Sequence, residues 1–217
     1  MTKISTALLL LFSALLHVQG EWRKINYAPV CFEGRGNRPG HLMYAGGTGH
    51  LVGAMKLEWR SGVMRCVSDV AHNSKWGCYQ HNSFKSYPFN VIVTDSSDEI
   101  IYPSPEYIKH WSGLWYYLPS QDEKESDALV FSDFESPFYL RPVMELKLWY
   151  GEDLKDWSET DNQGRVCVDV FIWPVVEPSM GENSSSISPA SGAEKARAIG
   201  ILTDLKTSLE EVINKKW

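Results

Sequence analysis

Residues 165–173 read Arg165-Val166-Cys167-Val168-Asp169-Val170-Phe171-Ile172-Trp173. Val166, Val168, Val170 and Ile172 recur with period two, opposite Arg165 and Asp169, the pattern of a strand with one face in a core. Cys167 lies on the face opposite the valines, so this strand reads as covered on both sides. The same alternation sets Met144, Leu146, Leu148 and Tyr150 against Glu145 and Lys147, and Met55, Leu57 and Trp59 against Lys56, Glu58 and Arg60. Phe89, Val91 and Val93 repeat it ahead of Thr94-Asp95-Ser96-Ser97-Asp98, which reads as a turn. Short strands separated by turn signals predict an all-β fold over residues 21–174, an antiparallel β-sandwich of jelly-roll-like kind.

On either side of that domain the pattern changes. Lys3, the apolar run Ile4 to Leu16, and Val18 and Gly20 before Glu21 have the order of a signal peptide over residues 1–20, which implies a secreted, extracellular protein. Residues 175–192 are rich in Pro, Ser, Glu and Gly, linker chemistry with little apolar surface to bury. Asn183-Ser184-Ser185 in that linker is an N-glycosylation sequon. Ser191-Gly192-Ala193-Glu194 then has capping-box spacing, and Ala198, Leu202, Leu205, Leu209 and Val212 or Ile213 predict a C-terminal amphipathic helix over residues 193–217. Docking on the domain or self-association is expected of it rather than membrane binding, because Asp204, Glu210 and Glu211 mix with lysines on its polar side.

Charge narrows the partners. The chain has 21 Lys and Arg against 27 Asp and Glu, a net −6, which becomes −7 once Lys3 is removed with the leader. That sign argues against nucleic acid and against broad attraction to anionic lipid. Cys31, Cys66, Cys78 and Cys167 all follow the leader, and an even number in an oxidising compartment implies two disulfides. Three pairings exist. The short Cys66 to Cys78 spacing suits a bridge across two adjacent strands and their loop, leaving Cys31 to tie the start of the domain to Cys167 near its end.

Few motifs point to chemistry. Gly46-Gly47-Thr48-Gly49 lacks the ending of a phosphate-binding loop and reads as a hairpin turn. His41, His50, His72, His81 and His110 form no H-E-x-x-H and read as scattered surface or loop residues. No G-x-S-x-G elbow occurs, so no catalytic residue is assigned and the protein is expected not to be an enzyme. Glu152, Asp153, Asp156, Glu159 and Asp161 crowd one loop; Asp156, Glu159 and Asp161 are candidate ligands for a weak calcium ion, the one cofactor considered. Val170 stands where an EF-hand needs its bidentate Glu, so that motif is absent, and a solvated loop competes with the calcium reading. The densest aromatic run, Trp111-Ser112-Gly113-Leu114-Trp115-Tyr116-Tyr117-Leu118, offers Trp111, Trp115, Tyr116 and Tyr117 as candidate ligand-binding rings, with a buried strand as the competing reading.

The stretches Leu148-Trp149-Tyr150-Gly151-Glu152-Asp153-Leu154 and 159–170, with Pro29-Val30-Cys31-Phe32, Met55-Lys56-Leu57 and Trp76-Gly77-Cys78, resemble a group of secreted cnidarian proteins. Some of these are uncharacterised skeletal organic matrix proteins of corals. The resemblance implies an extracellular β-rich domain with paired cysteines and no catalytic residue. The leading expectation is therefore a secreted, non-enzymatic extracellular matrix or recognition module, a skeletal organic matrix component that binds glycan, a mineral surface or calcium. The alternative is a membrane-active defence or venom protein, motivated by the aromatic run and the amphipathic tail. A hydrolase working through paired carboxylates is a third reading.

Overall fold

The computed structural model describes residues 21–175. In chain order the strands are β1 Arg23–Lys24, β2 Val30–Glu33, β3 Gly40–Met43, β4 His50–Arg65, β5 Val91–Asp95, β6 Ile100–Tyr102, β7 Ile108–His110, β8 Trp115–Tyr116, β9 Ala128–Ser132, β10 Phe138–Leu140, β11 Glu145–Tyr150 and β12 Gln163–Pro174. A single helical turn, α1 Gly151–Leu154, follows β11. Every strand pairing is antiparallel. One six-stranded sheet runs β1-β12-β4-β10, with β2 also on β12 and β9 on β4; a four-stranded sheet runs β3-β11-β5-β6; β7 and β8 form a small pair. The all-β expectation holds.

The inward residues of both larger sheets belong to one core. Val166, Val168 and Val170 are fully buried and Ile172 is nearly so, as the period-two pattern predicts; Leu146, Leu148 and Tyr150 of β11 are buried with them. β4 keeps Met55 and Leu57 inward, then changes parity. Cys167 pairs with Ser61 and Val168 with Trp59, so Arg60 is the extra residue of a β-bulge, and beyond it Met64 is the buried side chain. The outward face of β12 is covered as well. Asp169 accepts hydrogen bonds from Lys24, Asn26 and Arg60, and Phe171 lies under the Lys56 ammonium at 4.2 Å.

Both disulfides have the expected pairing, Cys31–Cys167 and Cys66–Cys78, and no cysteine among the described residues is free. Cys31 and Cys167 stand directly opposite each other on β2 and β12. The setting of the second bridge differs from expectation: Cys66 follows β4, but Cys78 belongs to the long β4–β5 connection rather than to an adjacent strand. The Thr94–Asp98 turn is present between β5 and β6, with Asp95 Oδ1 accepting from the Ser97 and Glu99 amides.

Gly46–Gly49 is not a hairpin turn. β3 pairs with β11 and β4 pairs with β9, β10 and β12, so this segment carries the chain from one sheet to the other. Tyr44 closes it by donating to the Thr48 carbonyl at 3.0 Å, and its hydroxyl lies 2.0 Å from where a Cβ at position 46 would stand. The expected leader over 1–20, the linker from residue 176 onward, the Asn183 sequon and the helix over 193–217 lie outside the described residues.

Candidate functional site

Four connecting segments converge around α1, and a buried asparagine holds two of them together. Asn90, fully buried, donates from Nδ2 to the Gly113 carbonyl at 2.7 Å and accepts the Glu152 amide on Oδ1 at 3.1 Å, while its own carbonyl takes the Gly151 amide at 2.7 Å. The 110–115 segment is thereby fixed against the start of α1. Trp115 completes the joint: its indole N–H donates to Glu152 Oε1 at 3.0 Å and its ring stacks on Phe84 at 3.9 Å. The aromatic run and the acidic loop, separate features of the sequence, thus meet at one bond.

The acidic loop is organised differently from its sequence reading. Asp156 is exposed, whereas Glu152 and Asp153, next to the strand end, are the buried pair. Asp153 is neutralised locally by the Asn37 and Arg38 amides, which donate to its two oxygens at 2.7 and 3.1 Å. Glu159 accepts the Gly36 amide at 3.1 Å, and its hydrogen bond with the Asp153 carboxyl, with burial second, raises its pKa to about 7. Two carboxyl groups in such contact share a proton rather than both ionising.

Glu152 is buried and only partly compensated. Burial pushes its pKa up to about 7, opposed by the neighbouring Asn162 amide and the Trp115 indole N–H and with the Asp161 and Glu159 charges adding to the rise. Its Oε2 has no partner among the described residues, and neither has Oδ1 of the fully buried Asn162, whose Nδ2 donates to the Gly34 carbonyl at 2.9 Å. Two buried acceptors without donors are costly, and a proton on Glu152 supplies the donor that is otherwise absent.

Rings border this cluster. Trp157 packs beside His110 with ring centres 4.8 Å apart, and a Cβ at position 113 would stand 2.7 Å from the Trp157 ring, so glycine is what lets the indole lie there. His81 stacks on Phe84 and lies 5.1 Å from His72. Burial and then the His72 charge lower its pKa, with Asp161 opposing. These two histidines are a pair rather than scattered. Of the candidate rings, Trp115 and Tyr116 are fully buried and offer no face to a ligand, while Trp111 at 54% and Tyr117 at 46% are exposed. Among the described residues no three His, Cys, Asp or Glu side chains gather around a common point that would hold a metal ion. A separate groove of about 540 Å³ opens on the other side of Glu159, with Glu33, Arg35, Arg38, Gln163 and Arg165 along it.

The solved structure of AJLec from the sea anemone Anthopleura japonica superposes on this fold with a TM-score of 0.63; at 36% sequence identity the alignment covers 72% of this chain and 98% of AJLec. The chain belongs to the AJLec family. No family model matches the chain, and no curated protein matches it. The likeness extends over nearly the whole of the AJLec chain. The likeness says nothing about coral skeletons.

Sequence reasoning placed the acidic and aromatic segments but missed Asn90, Asn162 and the burial of Glu152 and Asp153. Asn90 meets Glu152 across 62 positions and Asn37 meets Asp153 across 116. No local periodicity reports contacts of that span.

Proposed function

We propose that the protein is an extracellular, non-enzymatic carbohydrate-recognition module, and that it binds glycans where Trp157, His110 and Asp161 border the α1 cluster. The observation that carries this reading is the membership in the AJLec family, since the "Lec" of that name marks a lectin, a protein that binds glycans. The chemistry at α1 suits such a ligand. Carboxylate, amide and imidazole groups exchange hydrogen bonds with sugar hydroxyls, and an indole face covers the apolar C–H side of a pyranose ring. Two disulfides suit an oxidising, extracellular compartment. Screening the purified protein on a broad glycan array tests the reading. At least one glycan class is expected to bind, and Trp157→Ala is expected to weaken it roughly tenfold without lowering the melting temperature by more than a few degrees. Absence of binding to every glycan overturns it.

Calcium enters as part of the same proposal. Asp156, Glu159 and Asp161 would have to turn together to hold an ion, which places the affinity at about 10⁻⁴ to 10⁻³ M. Calorimetry with Ca²⁺ should give heat that disappears in the Glu159→Gln, Asp161→Asn double variant; no heat at millimolar calcium leaves a solvated acidic loop.

A further inference from the structure

We infer that the groove between β2 and the 159–165 segment accepts a single oxyanion, a sulfate ester or carboxylate, carried by the bound glycan. The inference rests on the glycan reading and names the ligand class within it. Three guanidinium groups border this groove, Arg35, Arg38 and Arg165. Arg38 is engaged by Glu33 at 2.9 Å, and Arg35 gives one N–H to the Thr160 carbonyl at 2.6 Å and keeps its other donors. Arg165 is exposed and makes no hydrogen bond or ion pair among the described residues. Its backbone is fixed by the pairing of β12 with Glu33 of β2 on one side and Val63 of β4 on the other.

The charge on the groove's acidic wall is reduced, because Glu159 bonds to the Asp153 carboxyl and is raised to about 7. A planar fork of N–H donors matches the paired oxygens of a sulfate or carboxylate, which an ammonium on a flexible stem would not. The net charge of the whole chain decides what kind of anion fits. At −6 overall, the long-range field repels a polyanion such as nucleic acid or a densely sulfated chain, while a local cluster of arginines still attracts one charge presented on an otherwise neutral ligand. The groove also adjoins the α1 cluster, sharing Glu159 with it.

The test uses matched oligosaccharides in neutral, O-sulfated and sialylated form, titrated into the full chain and into an Arg35→Gln, Arg165→Gln double variant at low and high salt. The acidic forms are expected to bind about tenfold tighter than the neutral one at low salt, with the gain shrinking at high salt. The double variant is expected to lose that preference while its affinity for the neutral form and its melting temperature stay unchanged. Comparing the sulfated with the sialylated form tells which oxyanion the groove prefers. Equal binding of neutral and acidic forms, or a preference that survives the double change, overturns the inference and leaves the glycan reading standing. If no oligosaccharide of any form binds, both fall.

Discussion

Changing Cys31 and Cys167 together to serine is expected to lower the stability of the folded domain by about 5 kcal/mol, a large share of the roughly 5 to 15 kcal/mol that keeps a domain folded. The bridge spans 136 positions, so its loss frees nearly the whole domain in the unfolded state, where the loop-closure entropy of so long a span is largest. Cys66–Cys78 spans only 12 positions, and the same reasoning gives about 3 kcal/mol for it. The two differ in another respect. Cys31 and Cys167 lie on the outward side of their sheet and are half-buried, so serine is tolerated there, whereas Cys66 and Cys78 are buried and serine hydroxyls would be left in the core. Urea unfolding of each double variant checks both figures. A change below 1 kcal/mol for the Cys31, Cys167 pair would show that the β2–β12 pairing alone supplies the constraint.

Glu152→Gln is expected to make the protein more stable above neutral pH, by roughly 2 to 3 kcal/mol. In the folded domain burial holds the Glu152 pKa near 7, above the unfolded value. Below the unfolded pKa both states carry the proton and the group costs nothing. As pH rises from there, the unfolded chain releases the proton first, so stability falls until the folded pKa is passed, and above it the loss is complete. Glutamine keeps an oxygen for the Trp115 indole and, at every pH, replaces the unpartnered Oε2 acceptor with an uncharged N–H donor. The variant should therefore match the parent near pH 4.5 and exceed it at pH 8, with the slope between them reduced to what Glu159 contributes. Melting temperatures across that range provide the comparison. A variant less stable than its parent at pH 8 would mean that the ionised carboxylate is wanted, as a cation ligand would require.

How much of this was readable from the residues follows from the range of the contacts. Val166, Val168, Val170 and Ile172 announce their strand because burial on a sheet alternates residue by residue, and a few side chains in a row suffice to see it. The disulfide partners were legible because one pairing is short and leaves the other by default. The Arg60 bulge was not legible: it changes which residues of β4 face inward, and nothing local to 50–65 distinguishes it from a strand of unbroken alternation. The crossing from β3 to β4 through Gly46–Gly49 was misread for the same reason, since a turn between two strands looks alike whether they pair or part. In the α1 cluster, charge density drew attention to Asp156, Glu159 and Asp161. The structure instead buries Glu152 and Asp153, because amides from residues 37 and 38 and the side chains of Asn90 and Trp115 come from distant parts of the chain to meet them.

The most direct test of glycan recognition at the α1 cluster follows the indole N–H signals of the protein by nuclear magnetic resonance during titration with a glycan selected on the array. Binding at this site predicts that Trp157 and Trp115 shift together with the side-chain amide of Asn162, while Trp22 and Trp173, which pack on each other 5.4 Å apart on the β1–β12 side, stay still. Shifts confined to Trp22 and Trp173, or none at all in any indole, would contradict the account.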